Sequence, residues 1–564
     1  MQYKEKDIVV YGSGFAGCAA ALKAAKTAPT KTVALICADP VTVQTGTQTK
    51  PLLGGIGTVG GQNFWDKRPW TQGTVSSPFP QRGSFEDWFN YSEDAYSVLD
   101  MSEKLRYDIS QCSNIEVFYA YDLYKFDSEL NPYRITAIYI QPIYRQSTGY
   151  RRVVFNTSSS KKIKITAAVF VDASESGKLA RVANFGGTTG RYDWPADRLD
   201  SDEQGSSGKA HQQAATLMFK IKNIDADHMH STTDMTYVIH DNVVVANGGK
   251  GTYKTPASTV HTFNEAHEAD GDYAIKPINM ATDYYDPLHP ENSEWWVNAL
   301  LVFNVDGRAN YRDMSYNGMY PQDKRADYMT TDQAWKAAYD FLNDPVTGQE
   351  VLTAIRGYPT LSEVDFVRDA NGKVVVADIL YLRETVHMGI YSTNIANGTE
   401  DTNYAVKAVQ CEWPGQTSAG GYDNVNYATR VGLNFYWTDI NAYKFEDLKD
   451  ENGNYIWFDE VAGKLRPDRY SASNMPWHPV YVPYNALTTK YVANLLIPGY
   501  AAGVSSYSWA EMRVLSNQCV LGDAAGVAAG YAVLNNVHPL QFTTAHINAV
   551  QNLLSTNFNV RLEK

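Results

Sequence analysis

The chain has few cysteines: Cys18, Cys37, Cys112, Cys411 and Cys519 are odd in number, scattered, and never form a CxxC pair. That excludes a disulfide framework and a thiol-rich metal centre, and points to buried thiols in a reducing, cytoplasmic compartment. Positive charge is scarce too, with 49 Lys and Arg against 62 Asp and Glu, a formal net charge of −13 and a pI near 5.4. Such a balance argues against a nucleic-acid surface or a polybasic membrane contact and favours a small-molecule partner, for a monomer or a homodimer. No apolar run approaches bilayer length, and the residues before the first apolar strand are too few for a signal peptide, so neither a membrane span nor a leader is expected. Heptad and solenoid repeats are missing. His228-Met229-His230 is too closely spaced for a metal site, and no metal is expected. The Asn-x-Ser/Thr triplets at Asn90, Asn156 and Asn397 read as chance.

What is present suits a globular chain with a large core, since 564 residues at 44% hydrophobic and 20% charged should form two or more domains. The most informative stretch is Tyr11-Gly12-Ser13-Gly14-Phe15-Ala16-Gly17, which follows the apolar run 7–11 and opens a helix rich in alanine through Ala25. Residues 32–36 supply a second strand and complete a β-α-β unit. In this context GxGxxG is a dinucleotide-binding turn: Gly12 permits the tight turn, Gly14 lets backbone approach a pyrophosphate, and Gly17 lets helix pack on strand. The helix's free N–H groups face the anion. Where such units close the second strand with an acid for the ribose, this chain has Cys37, and Asp39 is the substitute two residues on.

Downstream, Leu53-Gly54-Gly55-Ile56-Gly57-Thr58-Val59-Gly60-Gly61-Gln62-Asn63 is too glycine-dense for helix or strand, and its backbone can lie against a flat ligand. Strand-like runs follow at 115–119, 135–140 and 151–155. A longer one, 161–172, ends in a turn through Ala173 and Ser174. From about 193 to 480 the texture changes to mixed strands and long loops rich in Tyr, Trp and Asn. After that it returns to a strand at 494–499 and a small-residue helix through 521–530. The expected fold is α/β: a discontinuous Rossmann-like domain from 1–190 and 481–564, with an α+β substrate domain, 191–480, inserted.

GSGFAG, VFVDASESGKLA, QQAATLMFKI, ILYLRETVHMGI and the closing VPYNALTTKYVANLLIPGYAAGVSSYSWAEMRVLSNQCVLGDAAGVAAGYAV occur in this order. Together they resemble the FAD-dependent oxidoreductases of the glutathione-reductase-like two-dinucleotide-binding superfamily, in which VFVDASESGKLA is similar to an internal "IDATGDGDLA" segment. The resemblance implies FAD bound in an extended form, its adenine end near the first β-α-β unit and its isoalloxazine ring at the inserted domain. It implies cofactor contacts from Gly12, Ser13, Gly14, Phe15, Ala16, Gly17, Asp39, Gly54, Gly55, Gly61, Gln62, Asp172, Ala173, Ser174, Gly503 and Asp523. Two departures stand out. Gly503 is followed by Val504 where the superfamily often has an acid, and Asp523 either holds a different group or caps a helix. In the RET segment His387 stands where the family has an arginine.

A flavin carries the electrons itself, so the protein must supply a substrate pose, a base, and positive charge near the ring. Arg383 and His387 lie four apart and share a face if 379–389 is helical, which places a cation and an imidazole in one cleft. The alternatives are pairing of Arg383 with Glu384 or Asp378, and a packed His387. His478, in the Pro-bounded loop Pro476-Trp477-His478-Pro479, is the other candidate base. Arg513 resembles a family arginine near the cofactor, or else it is an ion-pair partner. Asp439 and Asn441 occupy a family Asp-x-His segment, so 441 is not expected to transfer protons. The pairs Tyr284-Tyr285 and Trp295-Trp296 and the run Phe435-Tyr436-Trp437 either line a pocket or pack the core. The expected activity is hydride transfer between a small organic substrate (a sugar, polyol, hydroxy acid or amine) and flavin N5. The alternatives are a monooxygenase or halogenase using NAD(P)H and oxygen, and a flavin-free glycan-binding protein on the same fold.

Overall fold

The computed structural model describes all residues except 41, 46–47, 71–78, 158–159, 184–186, 191–211, 225–234, 241–242, 249–257, 287, 389–405, 457–475 and 490. Five strands form a parallel sheet in the order Leu495–Leu496, Val169–Asp172, Ile8–Tyr11, Val33–Cys37, Ile115–Tyr119. The three inner strands are buried along their whole length, as their continuous Val, Ile and Leu runs require in a sheet covered on both faces. Helix Phe15–Thr27 follows the first strand and packs on helix Leu515–Asn535. Side-chain carbons added at Gly522 and Gly526 would come within 2.3 and 2.4 Å of the carbonyl oxygens of Ala16 and Ala20, so the small residues of both helices permit a close crossing.

The run 161–172 is not one strand. Ile163–Thr166 belongs to a second, largely antiparallel sheet with Gln2–Glu5, Arg134–Arg145, Tyr121–Glu129 and Val153–Phe155, whereas Val169–Asp172 is central in the parallel sheet. The residues report the split: Ile163-Lys164-Ile165-Thr166 alternates buried and half-buried, while Val169-Phe170-Val171-Asp172 is buried throughout. A third sheet has seven strands, all between residues 215 and 366, in the order Met235–His240, Val243–Gly248, Tyr273–Tyr284, Glu294–Val302, Phe219–Lys222, Asp365–Phe366, with Ala215–Thr216 also on Glu294–Val302. Helices Ser258–Ala266, Thr331–Asn343 and Thr347–Ile355 share its apolar cluster. They lie where long loops and strands were expected. Thr330 and Gln333 form a capping box at the start of the second, a legible start signal.

The expected helix over 379–389 is absent from its described part. Residues up to 385 run as loop, with bends at Ile379 and Arg383 and a bridge at Tyr381, and Val386–Met388 is a strand pairing antiparallel with Gly187–Thr189, Thr188 opposite His387. Arg383 and His387 therefore do not share a helical face. Backbone bonds from Tyr381 to Thr216 in both directions hold this segment in place. Among the described residues no helix is long and apolar enough to cross a membrane, and no group of three or more His, Cys, Asp or Glu is placed to hold a metal. His228-Met229-His230 and Asn397 lie outside the described residues.

Candidate active site

The glycines of the first turn divide their work by geometry. Gly12 has φ +105°, and a Cβ there would meet the Ala173 backbone at 2.6 Å. At Gly17 a Cβ would meet Gly12 O at 2.0 Å. Gly14 differs: a Cβ there meets nothing within 4 Å, because it projects into a cleft that Gly14 itself lines. This vacancy lies at the N-terminus of helix Phe15–Thr27, where unpaired N–H groups favour an anion. Tyr11, Gly12, Ser13, Asp39, Ala173, Ser174 and Glu175 also line it, as do Arg145, Arg312 and Trp335. Phe15 and Ala16 are buried in the core, where Phe15 packs edge-on against Trp65 and Trp88. Gly54 closes against the turn, its N–H donating to Ser13 O at 2.8 Å, and Gly55 lies beside Gly14.

At the end of the second strand Cys37 is 1% exposed, and burial pushes its thiol up to about 12. Asp39 is the residue that reaches the cleft. Burial pushes its carboxyl up to about 6, with Arg312 opposing the shift. Glu175 was not anticipated as a site residue. Its signal was a glutamate where the similar segment "IDATGDGDLA" has glycine. Its Oε1 accepts Ile56 N–H at 3.2 Å, and burial, then the Asp39 charge, push it up to about 8. At neutral pH it is protonated and does not oppose a phosphate.

Residues 378–383 separate this cleft from a second cavity. Asp378, Ile379, Leu380 and Leu382 face the cleft, whereas Tyr381 and Arg383 face a second, much tighter space. Asp66, Lys276, Asn279, Asn298, Asp439, Asn441 and Arg513 also line that cavity. Arg513 binds Asp439 Oδ2 at 2.7 Å and donates to Tyr381 Oη at 2.6 Å. Asp439 Oδ1 is buried with no hydrogen-bond partner among the described residues. Arg383, 1% exposed, donates through Nη1 to Ala214 O and Thr216 Oγ1, and through Nη2 to Asn298 Oδ1 at 3.0 Å. Asn298 in turn donates to Gln62 Oε1, and Gln62 to Asp66 Oδ2.

The family profile described as FAD dependent oxidoreductase matches residues 7–554. The chain belongs to the FAD-dependent oxidoreductase family. It is an enzyme of the flavin class, and the void at Gly14, the anion-favouring helix start and the cleft-facing Asp39 fit FAD there. No curated protein matches the sequence. Among solved structures, a geranylgeranyl bacteriochlorophyll reductase-like protein from Thermoplasma acidophilum is similar at 10% identity and TM-score 0.35, over 99% of this chain and 85% of that one. The quinol fumarate reductase FrdA of E. coli is similar at 12% and 0.26, over 98% and 75%. The myxobacterial chondrochloren halogenase CndH is similar at 11% and 0.30, over 66% and 63%. Likenesses this remote carry no argument about the reaction.

The other expected residues of this FAD-dependent oxidoreductase distribute unevenly. Asp172 faces away from the cleft and ties its own turn, accepting from Ser174 N–H and Oγ and from Ala180 N–H. Asp523 is occupied elsewhere: both its oxygens accept from Ser84, at the start of helix Ser84–Ser92, with Lys23 at 3.7 Å. It lies inside helix Leu515–Asn535 and so does not cap that helix; the helix start it meets is that of Ser84–Ser92. Gly61 abuts Trp296 and Met218, and Gly503 is bonded to Ala486 and Val406. Neither histidine lines either cavity. His387 is enclosed, its Nε2 2.8 Å from Glu384 Oε1 and its ring against Trp509, which corrects the expectation of a base beside Arg383. Nor does Arg383 pair with Glu384 or Asp378. His478 is half-buried, near the charges of Lys564, Asp423 and Arg68, and burial lowers its pKa. Arg513 makes the ion pair considered as its alternative, and does so within the second cavity. Trp295, Trp296, Phe435 and Tyr436 are core residues, although the Tyr436 hydroxyl donates to Asp66 Oδ1 at 2.9 Å. Apart from Cys112, which is half-buried, the cysteines are buried thiols.

Proposed function

We propose that the protein oxidises, or in reverse reduces, a small organic molecule held in the cavity behind residues 378–383, with residues 191–480 forming the substrate side. The observation that carries this reading is the shared wall: one segment lines the dinucleotide cleft with one set of side chains and a buried, charged cavity with Tyr381 and Arg383. The turn at Gly12, Gly14 and Gly17 and the carboxyl of Asp39 would hold FAD, which would supply the two-electron acceptor. The chain supplies the rest. The substrate C–H bond breaks with its electron pair leaving as hydride, the neighbouring O–H or N–H bond gives up its proton, and a C=O or C=N bond forms. Asp439 Oδ1, buried and without a hydrogen-bond partner among the described residues, is the proton acceptor, and the Arg513 ion pair on Oδ2 fixes its orientation. The amides of Asn279, Asn298 and Asn441 orient polar substrate groups, and the buried walls exclude water.

The test is anaerobic mixing of the purified yellow protein with sugars, polyols, amines and hydroxy acids, followed by loss of flavin absorbance near ~450 nm. With the substrate so found, Asp439→Asn should keep its FAD yet be reduced about 10²–10⁴ times more slowly, the scale of a positioned base. A rate within about threefold of the parent, far below that scale, removes Asp439 from the role.

A further inference from the structure

The protein carries a formal net charge of −13, yet one surface groove is lined by cations. Its described lining holds Arg82, Arg430, Arg561 and Lys564 against a single carboxylate, Glu563, around a space of about 580 Å³. No described residue lines both this groove and the dinucleotide cleft. Local structure builds it. Asn559, with φ +54°, ends helix Thr544–Phe558 in the left-handed conformation and turns the chain back. Val560 and Leu562 are buried and anchor the chain on either side of the half-buried Arg561. Arg82 comes from the opposite wall, just ahead of helix Ser84–Ser92. Glu86 ties the walls together, accepting from Arg82 Nη1 at 3.0 Å and from Asn559 Nδ2 at 2.8 Å.

Three of the four cations have carboxylate partners: Arg82 has Glu86, Arg430 has Glu563, and Lys564 has Asp423. Arg561 has none among the described residues. Its Nε donates to the Glu563 backbone carbonyl at 2.7 Å, and its guanidinium lies 4.6 Å from the centre of the Trp70 ring. The charge that acts on it is that of Arg82, of the same sign, and burial followed by this repulsion lowers its pKa. Arg82 Nε and Arg561 Nη1 are both buried with no hydrogen-bond partner among the described residues. A buried charged donor without an acceptor is unfavourable, and two of them on neighbouring like charges mark the place of a missing anion.

We propose that Arg82 and Arg561 form a phosphate-binding site on this face, apart from the dinucleotide cleft, for phosphate itself or the phosphate end of a small molecule. A phosphate group carries up to two negative charges and at least three acceptor oxygens, so it can take N–H donors from both guanidiniums at once and offset their repulsion. A carboxylate, planar with two oxygens, is matched by one guanidinium alone. The groove has the volume of a small-molecule site, and Asn552, exposed on its helical wall, offers an amide to whatever the phosphate carries.

The experiment is calorimetric titration of the FAD-loaded protein, whose dinucleotide cleft is filled, with inorganic phosphate, ribose 5-phosphate, acetate and a hexaglutamate peptide at one ionic strength. At least one of the two phosphates should bind about tenfold or more tightly than acetate, the lower end of what a charge-assisted pair contributes. Arg561→Gln should lose that margin, whereas Arg325→Gln, at an exposed ion pair with Asp327, should keep it. Should Arg561→Gln fail to fold, Asn552→Asp, an exposed change that sets a carboxylate in the groove, should weaken phosphate binding in its place. Tighter binding of the ester assigns the site to a phosphorylated small molecule, and tighter binding of inorganic phosphate assigns it to the free ion; either upholds the proposal. Absence of phosphate binding, acetate bound as tightly, or a margin that survives Arg561→Gln or Asn552→Asp overturns it. So does hexaglutamate bound more tightly than both phosphates, which would make the groove a contact for an acidic protein segment.

Discussion

Gly14→Val and Gly17→Ala should fail in different ways, and the difference isolates the cofactor turn. Gly14 has φ −65° and ψ −178°, extended backbone open to valine, and its added carbons enter the cleft rather than the protein. The FAD-free variant should therefore keep the parent's stability to within about 1 kcal/mol, the scale of replacing glycine at a compatible site. Its loss falls on FAD. Steric displacement of the diphosphate costs about 1–3 kcal/mol, and separation from the helix N-terminus adds up to about 2 kcal/mol. Together these weaken binding by between about fivefold and a few thousandfold. Gly17→Ala adds a single carbon, but that carbon would lie 2.0 Å from Gly12 O, so the strand-turn-helix junction must shift. That costs about 3 kcal/mol or more, a large share of a typical folding free energy. The assay is flavin content of the purified proteins, calorimetric titration of FAD into the stripped forms, and thermal melts of those forms. Full flavin occupancy in Gly14→Val, or a melt depressed as far as that of Gly17→Ala, would refute the reasoning.

Asp39→Ala should weaken FAD binding by about 1–3 kcal/mol, the scale of a lost charge-assisted hydrogen bond, and Cys37→Ser should matter less; titration of the stripped proteins checks both. Because the folded-state pKa of Glu175 is raised to about 8, it carries no charge below that pH and acquires one above it. FAD affinity should accordingly fall as pH rises through about 8, by about tenfold or more for a like charge placed a few ångströms from the diphosphate. Glu175→Gln should flatten that profile, and an unchanged profile would show that the glutamate does not face the cofactor. Asp523→Ala removes the partner of the Ser84 N–H and hydroxyl and leaves Lys23 buried without its carboxylate. It should cost about 3–5 kcal/mol in denaturant unfolding while the refolded protein still takes up FAD.

What the sequence determined by itself is local. The turn at Gly12, Gly14 and Gly17, the strands around it and the helix it opens follow from backbone sterics and apolar periodicity within some thirty residues, and the ordered motifs carried the family and FAD with them. Asp39 was legible as the acid nearest the missing one at Cys37. Tertiary structure decided the rest. Residues 161–172 look like one strand until the sheets separate them, because one half is half-exposed and the other central. Residues 379–389 show the Arg383 and His387 spacing of a helix, yet pairing with Thr216 and with Gly187–Thr189 draws their described part into loop and strand. The histidines are candidates by their chemistry and by their places in motifs of the resemblance, and packing encloses one beside Trp509 and sets the other in a half-buried loop. The second cavity draws its charges from residues 66, 276, 383, 439 and 513, so no window of sequence contains it. Only the fold could show that Arg513 meets the Asp439 carboxylate whereas Arg383, among the described residues, bonds to neutral groups, since that distinction depends on which side chains meet across hundreds of residues.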